Sequence, residues 1–281
     1  MPADVPTLTL PDGERVPVLG QGTWGMGEDP RLRTKEAAAL RLGIDLGMTL
    51  IDTAEMYAGG GAEEVTGAAV AGRRDEVFLV SKVLPSNASR RGTVAACERS
   101  LKRLGTDRID LYLLHWRGGP ALAETVEAFR SLQQTGKIRH WGVSNFDTDD
   151  MEELAELPEG SAAATNQVLY NLSRRAPEWD LMPWCRNRRI PLMAYSPVEQ
   201  GRILKDRTLQ AIASRHGATA ARVALAWLIR QDGLLVIPKA VSPDHVRDNA
   251  AARELRLTAA DLAELDAAFP PPTGKKSLAM L

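Results

Sequence analysis

The stretch "VFLVSKVLPSNASRRGTVAACERSLKRLGTDRIDLYLLHW", residues 77–116, decides the fold. An apolar run, Val77–Lys82, reads as a buried strand. A helical pattern from Ser89 follows, closed by Gly105, and a second apolar run, Ile109–His115, comes after it. Strand, helix, strand with this spacing is a parallel crossover unit. The same alternation extends in both directions. Further strands are predicted at Thr49–Thr53, Ile138–Val143, Ala163–Val168, Pro191–Tyr195 and Leu234–Ile237, with another in "LGQGTW" near Leu19. Helical patterns separate them, among them "RTKEAAALRLGIDLG", "TVEAFRSLQQTGK", "MEELAEL", "LMPWCRNRR", "LQAIASRHG" and "TAARVALAWLIRQDG". Eight such units in 281 residues predict an α/β fold, a closed (β/α)8 TIM barrel forming one domain over residues 1–281. In front of it "TLTLPDGERVPVLG" alternates about Pro11-Asp12-Gly13 and predicts a β-hairpin cap.

Composition narrows the function. Lys and Arg number 35 against 36 Asp and Glu, so neither nucleic acid nor a membrane surface is an expected partner. No apolar stretch approaches a membrane span, and Met1 to Leu10 lacks the features of a signal peptide. The two cysteines, Cys97 and Cys185, lie far apart in sequence and argue against a disulfide framework, and a reducing cytoplasm is the expected compartment. No G-x-G-x-x-G opens a helix after a strand: "GQGTWG" lacks the third glycine, and "GGGAEE" lacks the Lys-Ser/Thr of a P-loop, reading instead as a turn before a helix.

Ionisable residues break the apolar runs at three strand ends: Asp52 in "TLIDTA", Lys82 in "VFLVSKV" and His115 in "IDLYLLHW", with Tyr57 in the loop after Asp52. Each alone has a bland reading: a turn-capping Asp, a solvated Lys, a packed His beside Trp116. Barrel closure brings them to one face, where catalytic groups of such barrels collect. A free phenol, with a pKa of about 10, is a poor acid near neutrality. A nearby ammonium is expected to lower that value, Asp52 to hold the ammonium, and His115 to orient a substrate oxygen. The set donates a proton, supplies no hydride and forms no metal cage. A carbonyl reduction would therefore need a cofactor, and no metal is expected.

These residues resemble the aldo-keto reductases. The resemblance covers nearly the whole chain: "GTW" at Gly22–Trp24, "IDTAEMY" at Ile51–Tyr57, "SK" at Ser81–Lys82, "LLHW" at Leu113–Trp116, "GVSNF" at Gly142–Phe146, "NQ" at Asn166–Gln167, "YSP" at Tyr195–Pro197 and "IPKAVS" at Ile237–Ser242. It implies a catalytic set of Asp52, Tyr57, Lys82 and His115, and NADPH as cofactor, with NADH as the alternative. Ser144, Asn145 and Gln167 then match the residues that bind the nicotinamide carboxamide, and Tyr195 matches the aromatic that stacks on its ring. Gly22, Thr23, Trp24, Asp52, Ser196 and Pro197 belong to the same groove. Lys239, Ala240, Val241, Ser242, His245 and Asn249 match the adenosine end. Ala240 stands where Ser is frequent and His245 where Arg is frequent, leaving fewer donors for a ribose 2′-phosphate. Trp24, Met56, Leu84, His115 and Trp116 are expected to face the substrate. The short run after "DAAFPPP" predicts an open pocket for small aldehydes and dicarbonyls. The expected partner is a small carbonyl compound, and the expected state a monomer. The rival readings are a non-catalytic barrel module and a Schiff-base lyase using Lys82.

Overall fold

The computed structural model describes residues 5–281, so the first four residues of the Met1–Leu10 reading lie outside it. An antiparallel hairpin, β1 (Thr7–Thr9) and β2 (Arg15–Pro17), turns at Gly13, whose φ of 99° suits a residue without Cβ. Eight parallel strands follow in chain order round one sheet: β3 (Gln21–Gly22), β4 (Leu50–Asp52), β5 (Phe78–Val83), β6 (Ile109–Leu114), β7 (Ile138–Ser144), β8 (Asn166–Leu169), β9 (Leu192–Tyr195) and β10 (Leu234–Val236). The barrel closes where Gly20 N–H donates to the Val236 carbonyl and Val236 N–H to that of Val18, both at 2.8 Å. A Cβ at Gly22 would lie 2.9 Å from the Ile237 carbonyl oxygen, so this close seam needs glycine.

Among the described residues ten helices cover the outside: α1 (Arg33–Asp45), α2 (Gly61–Val70), α3 (Arg90–Leu104), α4 (Leu122–Gln134), α5 (Thr148–Glu156), α6 (Leu181–Asn187), α7 (Arg207–Arg215), α8 (Ala220–Ile229), α9 (Pro243–Ala251) and α10 (Ala259–Ala268). The helix that opens the sequence argument, α3, is bounded as its residues dictate. The Ser89 hydroxyl accepts the Gly92 N–H, and Gly105 leaves the helix at φ 64°. Inward side chains from several strands, including Leu50, Val80, Leu111 and Leu235, fill the barrel, and Leu10 and Val16 of the hairpin join that cluster. The hairpin is thus a plug, pinned by charge as well. Glu14 Oε2 lies 2.6 Å from His140 Nε2 and 2.7 Å from Arg139 Nη2.

Several boundaries depart from expectation. Lys82 lies inside β5, one residue before its end, and β8 begins three residues later than expected. The glycine run is less a loop than a helix start: Gly60 caps α2 at φ 98° and Gly61 is its first residue. Helix α10, absent from the sequence pattern, is fixed by a capping box between Thr258 and Asp261. The tail beyond Phe269 wraps the rim. Lys275 pairs with Asp149 at 2.8 Å, Leu278 packs on the outer core, and Leu281 comes up against the Tyr195 phenol. The rim is therefore covered on the β9 side, not bare all round.

Candidate active site

Every strand end that carries an ionisable residue opens on the same face. Asp52 ends β4, Lys82 sits near the end of β5, and His115 directly follows β6. Tyr57 follows β4 at the start of a short 3-10 turn, Tyr57–Gly60. Lys82 is fully buried, yet each proton of its ammonium has an acceptor: Asp52 Oδ2 at 2.7 Å, the Thr53 carbonyl at 2.9 Å and the Tyr57 hydroxyl at 3.1 Å. The second Asp52 oxygen accepts from Gln167 Nε2 at 2.7 Å, and the Asp52 carbonyl from the Thr23 hydroxyl at 3.0 Å. A buried charge needs this degree of satisfaction to be tolerated.

Burial pushes the Asp52 carboxyl up, and Lys82 pulls it back. Burial would lower Lys82, but Asp52 and Tyr57 together outweigh it and hold the amine above its ordinary value. A lysine held protonated and triply engaged is unsuited to attack a carbonyl, which argues against Schiff-base chemistry. The Tyr57 expectation needs correction. Its phenol is pushed above 10, because desolvation of a ring only 8% exposed outweighs the opposing Lys82 charge. Lys82 limits the rise instead of producing a net fall. The phenol oxygen accepts from Lys82, so its own proton is left to point elsewhere.

His115 is held between two rings, 5.7 Å from Tyr57 and 4.8 Å from Trp116 by centroid. Its Nδ1 is buried with no partner among the described residues. Burial first, and the Lys82 charge second, push its pKa down to about 2, so the ring is neutral at physiological pH. An unfolded histidine titrates near 6.5. Below that pH the unfolded chain binds a proton that the folded chain does not. His115 therefore contributes stability that is complete above about 6.5 and is lost as pH falls toward 2. Acidification from pH 6.5 to 5 should cost about 1.6 kcal/mol at this residue, the slope rising toward about 1.4 kcal/mol per pH unit as the unfolded histidine becomes protonated. Urea unfolding of His115→Asn should show a correspondingly shallower pH dependence than the parent, and equal slopes would contradict the burial assigned to this ring.

The expected groove residues line the same face. Gly22 ends β3, Thr23 is buried, and Trp24 is 53% exposed with its ring edge-on to Tyr57 at 5.0 Å. Met56, Leu84 and Trp116 are half-buried around the same loops. Ser144 ends β7 and Gln167 lies in β8, both buried, and Asn145 takes φ 60° between them. Tyr195 ends β9, and its hydroxyl donates to Asn145 Oδ1 at 3.0 Å. Ser196, at φ 48°, and buried Pro197 turn the chain away. Beyond β10, Lys239 is exposed, Ala240, Val241 and Ser242 are half-buried, and Ser242 is the N-cap of α9. His245 is exposed and Asn249 buried. Ser242 makes no side-chain cap bond, so the α9 amides remain available for an anion. Asp248 does not oppose one there: Arg222 Nη2 holds its carboxylate at 2.6 Å, and Thr219 donates to it as well. The basic run Arg186–Arg189 is solvated, and Trp227 is buried against Tyr170.

Two buried acids beside the Tyr57 and Lys82 elements escaped sequence reading. Glu63 accepts from Ser81 Oγ and Arg103 Nε, both at 2.6 Å, bracing α2 against β5 and α3. Glu55 binds the Leu84 N–H and the Asn87 amide. Both sit in the quoted motif region, but an acid beside glycines or in a turn gives no sequence sign of burial.

Known proteins resemble this chain over nearly its whole length. The chain is 55% identical to methylglyoxal reductase YeaE of Escherichia coli, with 95% of each chain covered. It is 33% identical to the glyoxal reductase of Bacillus subtilis, over 93% of this chain and 92% of that one. A crystal structure of an aldo/keto reductase from Klebsiella pneumoniae in complex with NADP and acetate superposes with a TM-score of 0.96 at 51% identity, covering 98% of this chain and 99% of that one. The model of the aldo/keto reductase family matches residues 18–269, and the chain belongs to that family.

Proposed function

We propose that this chain acts as a single-domain NADPH-dependent reductase of small aldehydes and ketones, 2-oxoaldehydes such as methylglyoxal among them, with Tyr57 as the general acid. The observation that carries the reading is the direction of the hydrogen bond at Tyr57. Lys82 donates to the phenol oxygen, which leaves the phenolic proton for an oxygen gaining negative charge. Asp52 keeps Lys82 charged, and neutral His115 offers a ring nitrogen to the same oxygen. The names of the relatives point to the same substrates and cofactor.

The groove suits a dinucleotide without a glycine fingerprint. Ser144, Asn145 and Gln167 would hold the carboxamide, and Tyr195 would support the ring. The uncapped N-terminus of α9 with Lys239 would hold a phosphate. Bound there, NADPH supplies the hydride for the carbonyl carbon. Trp24, Met56, Leu84 and Trp116 would form the apolar walls. We place the protein in the cytoplasm as a monomer. Among the described residues no helix is long and apolar enough to cross a membrane, and both cysteines are buried and unpaired.

The direct test is turnover of methylglyoxal and a panel of other carbonyls with NADPH and with NADH. Failure to consume either cofactor with any carbonyl would overturn the reading. A charge-assisted hydrogen bond is worth about 1.5–3 kcal/mol, so Lys239→Ala should reduce the NADPH-over-NADH ratio of kcat/KM by about tenfold or more. An unchanged ratio would move the 2′-phosphate away from Lys239.

A further inference from the structure

The stretch "IDTAEMY" holds a second acid between the two residues already assigned roles, and its carboxylate faces away from Lys82 toward the neighbouring loop. Glu55 Oε1 accepts the Leu84 N–H at 2.8 Å and Asn87 Nδ2 at 2.9 Å. Its own N–H donates to the Lys82 carbonyl at 3.4 Å. Its side chain is only 6% exposed, and Arg99 Nη2 stands 3.5 Å from the other oxygen. Leu84 precedes a 3-10 turn, Pro85–Asn87, that has no side-chain cap of its own. Glu55 supplies the missing acceptor from another loop. One residue therefore ties the turn carrying Tyr57 to the strand end carrying Lys82 and to the turn carrying Leu84.

We propose that Glu55 is a positioning residue that fixes the Leu84 wall relative to Tyr57 and so sets the width of the substrate pocket. The inference rests on the reductase reading above. Its content is geometric: the tie runs through the Leu84 main chain, so losing it lets the Leu84 turn move outward while Lys82, held by Asp52 and Thr53, keeps its contact with Tyr57. The pocket should then favour small carbonyls less.

Two variants separate this from a structural role. Glu55→Gln keeps an oxygen acceptor for Leu84 and Asn87, whereas Glu55→Leu fills similar space without one. In Glu55→Leu, kcat/KM for methylglyoxal should fall about tenfold through KM, with kcat nearly unchanged, the size expected when a buried donor loses its partner. The value for a bulkier aldehyde, 4-nitrobenzaldehyde, should fall much less, so the ratio between the two shifts. Amide exchange at Leu84 should quicken in the same variant. Glu55→Gln should restore both readouts to within about threefold of the parent, and Arg99→Ala should leave the ratio alone. An unmoved substrate ratio in Glu55→Leu, or equal effects in the Gln and Leu variants, would overturn the role of Glu55. A parent protein with no turnover on any carbonyl would instead overturn the underlying function, so the two failures are distinguishable.

Discussion

Tyr57→Phe should lower kcat by about 10²–10⁴-fold, the usual worth of a positioned general acid, with NADPH affinity nearly unchanged. The substitution removes one oxygen from a ring that is 8% exposed and packed edge-on against Trp24 and His115, so the pocket keeps its shape. Loss should therefore appear in kcat and in kcat/KM together, the pattern of an interaction made only in the transition state. The measurement is steady-state reduction of an unactivated aldehyde alongside cofactor titration by fluorescence. Near-normal turnover in the variant would remove Tyr57 from the chemistry.

Lys82→Met should be nearly as damaging, and for two separable reasons. Its ammonium donates to Tyr57 and is the charge that limits the rise of the phenol. Preorganised groups of this kind are worth about 10²–10³-fold in kcat. The same substitution strands Asp52, whose side chain is 3% exposed, and removing one partner of a buried pair typically costs about 3–5 kcal/mol of stability. The double variant Asp52→Asn with Lys82→Met removes the stranded charge. It should recover much of the thermal stability and none of the rate. If rate returned with stability, Lys82 would be a structural residue only.

The barrel was legible because its evidence is periodic. Residues 77–116 show strand, helix and strand with a Ser at one helix end and a Gly at the other, and those signals act locally. Asp52, Lys82 and His115 were legible because each interrupts an apolar run, and their convergence followed from strand order alone. Other features depend on what lies opposite in space. The rise of the Tyr57 phenol is set by how completely the loop buries it, which residue types do not state. Glu55 looks like a solvated turn acid until the Leu84 N–H is found facing it across the fold, 29 residues away. The neutralisation of Asp248 by Arg222 of another helix is of the same kind. Helix α10 was missed because its apolar face is weak and its capping box does the specifying.

The plug at the floor of the barrel imposes an order on biosynthesis. Glu14 meets His140 across 126 residues of chain, and Leu10 and Val16 pack among side chains from strands as late as β10. The hairpin is made before any of these partners exists. At about 5–20 residues per second, the ribosome leaves its apolar underside without that hydrogen-bond partner for roughly 6–25 s, and without the last strand for longer. An isolated two-stranded hairpin is at best marginally stable in water. The segment synthesised ahead of the barrel is thus among the last to acquire its final structure, and during that interval its exposed Leu10 and Val16 are natural points of chaperone contact.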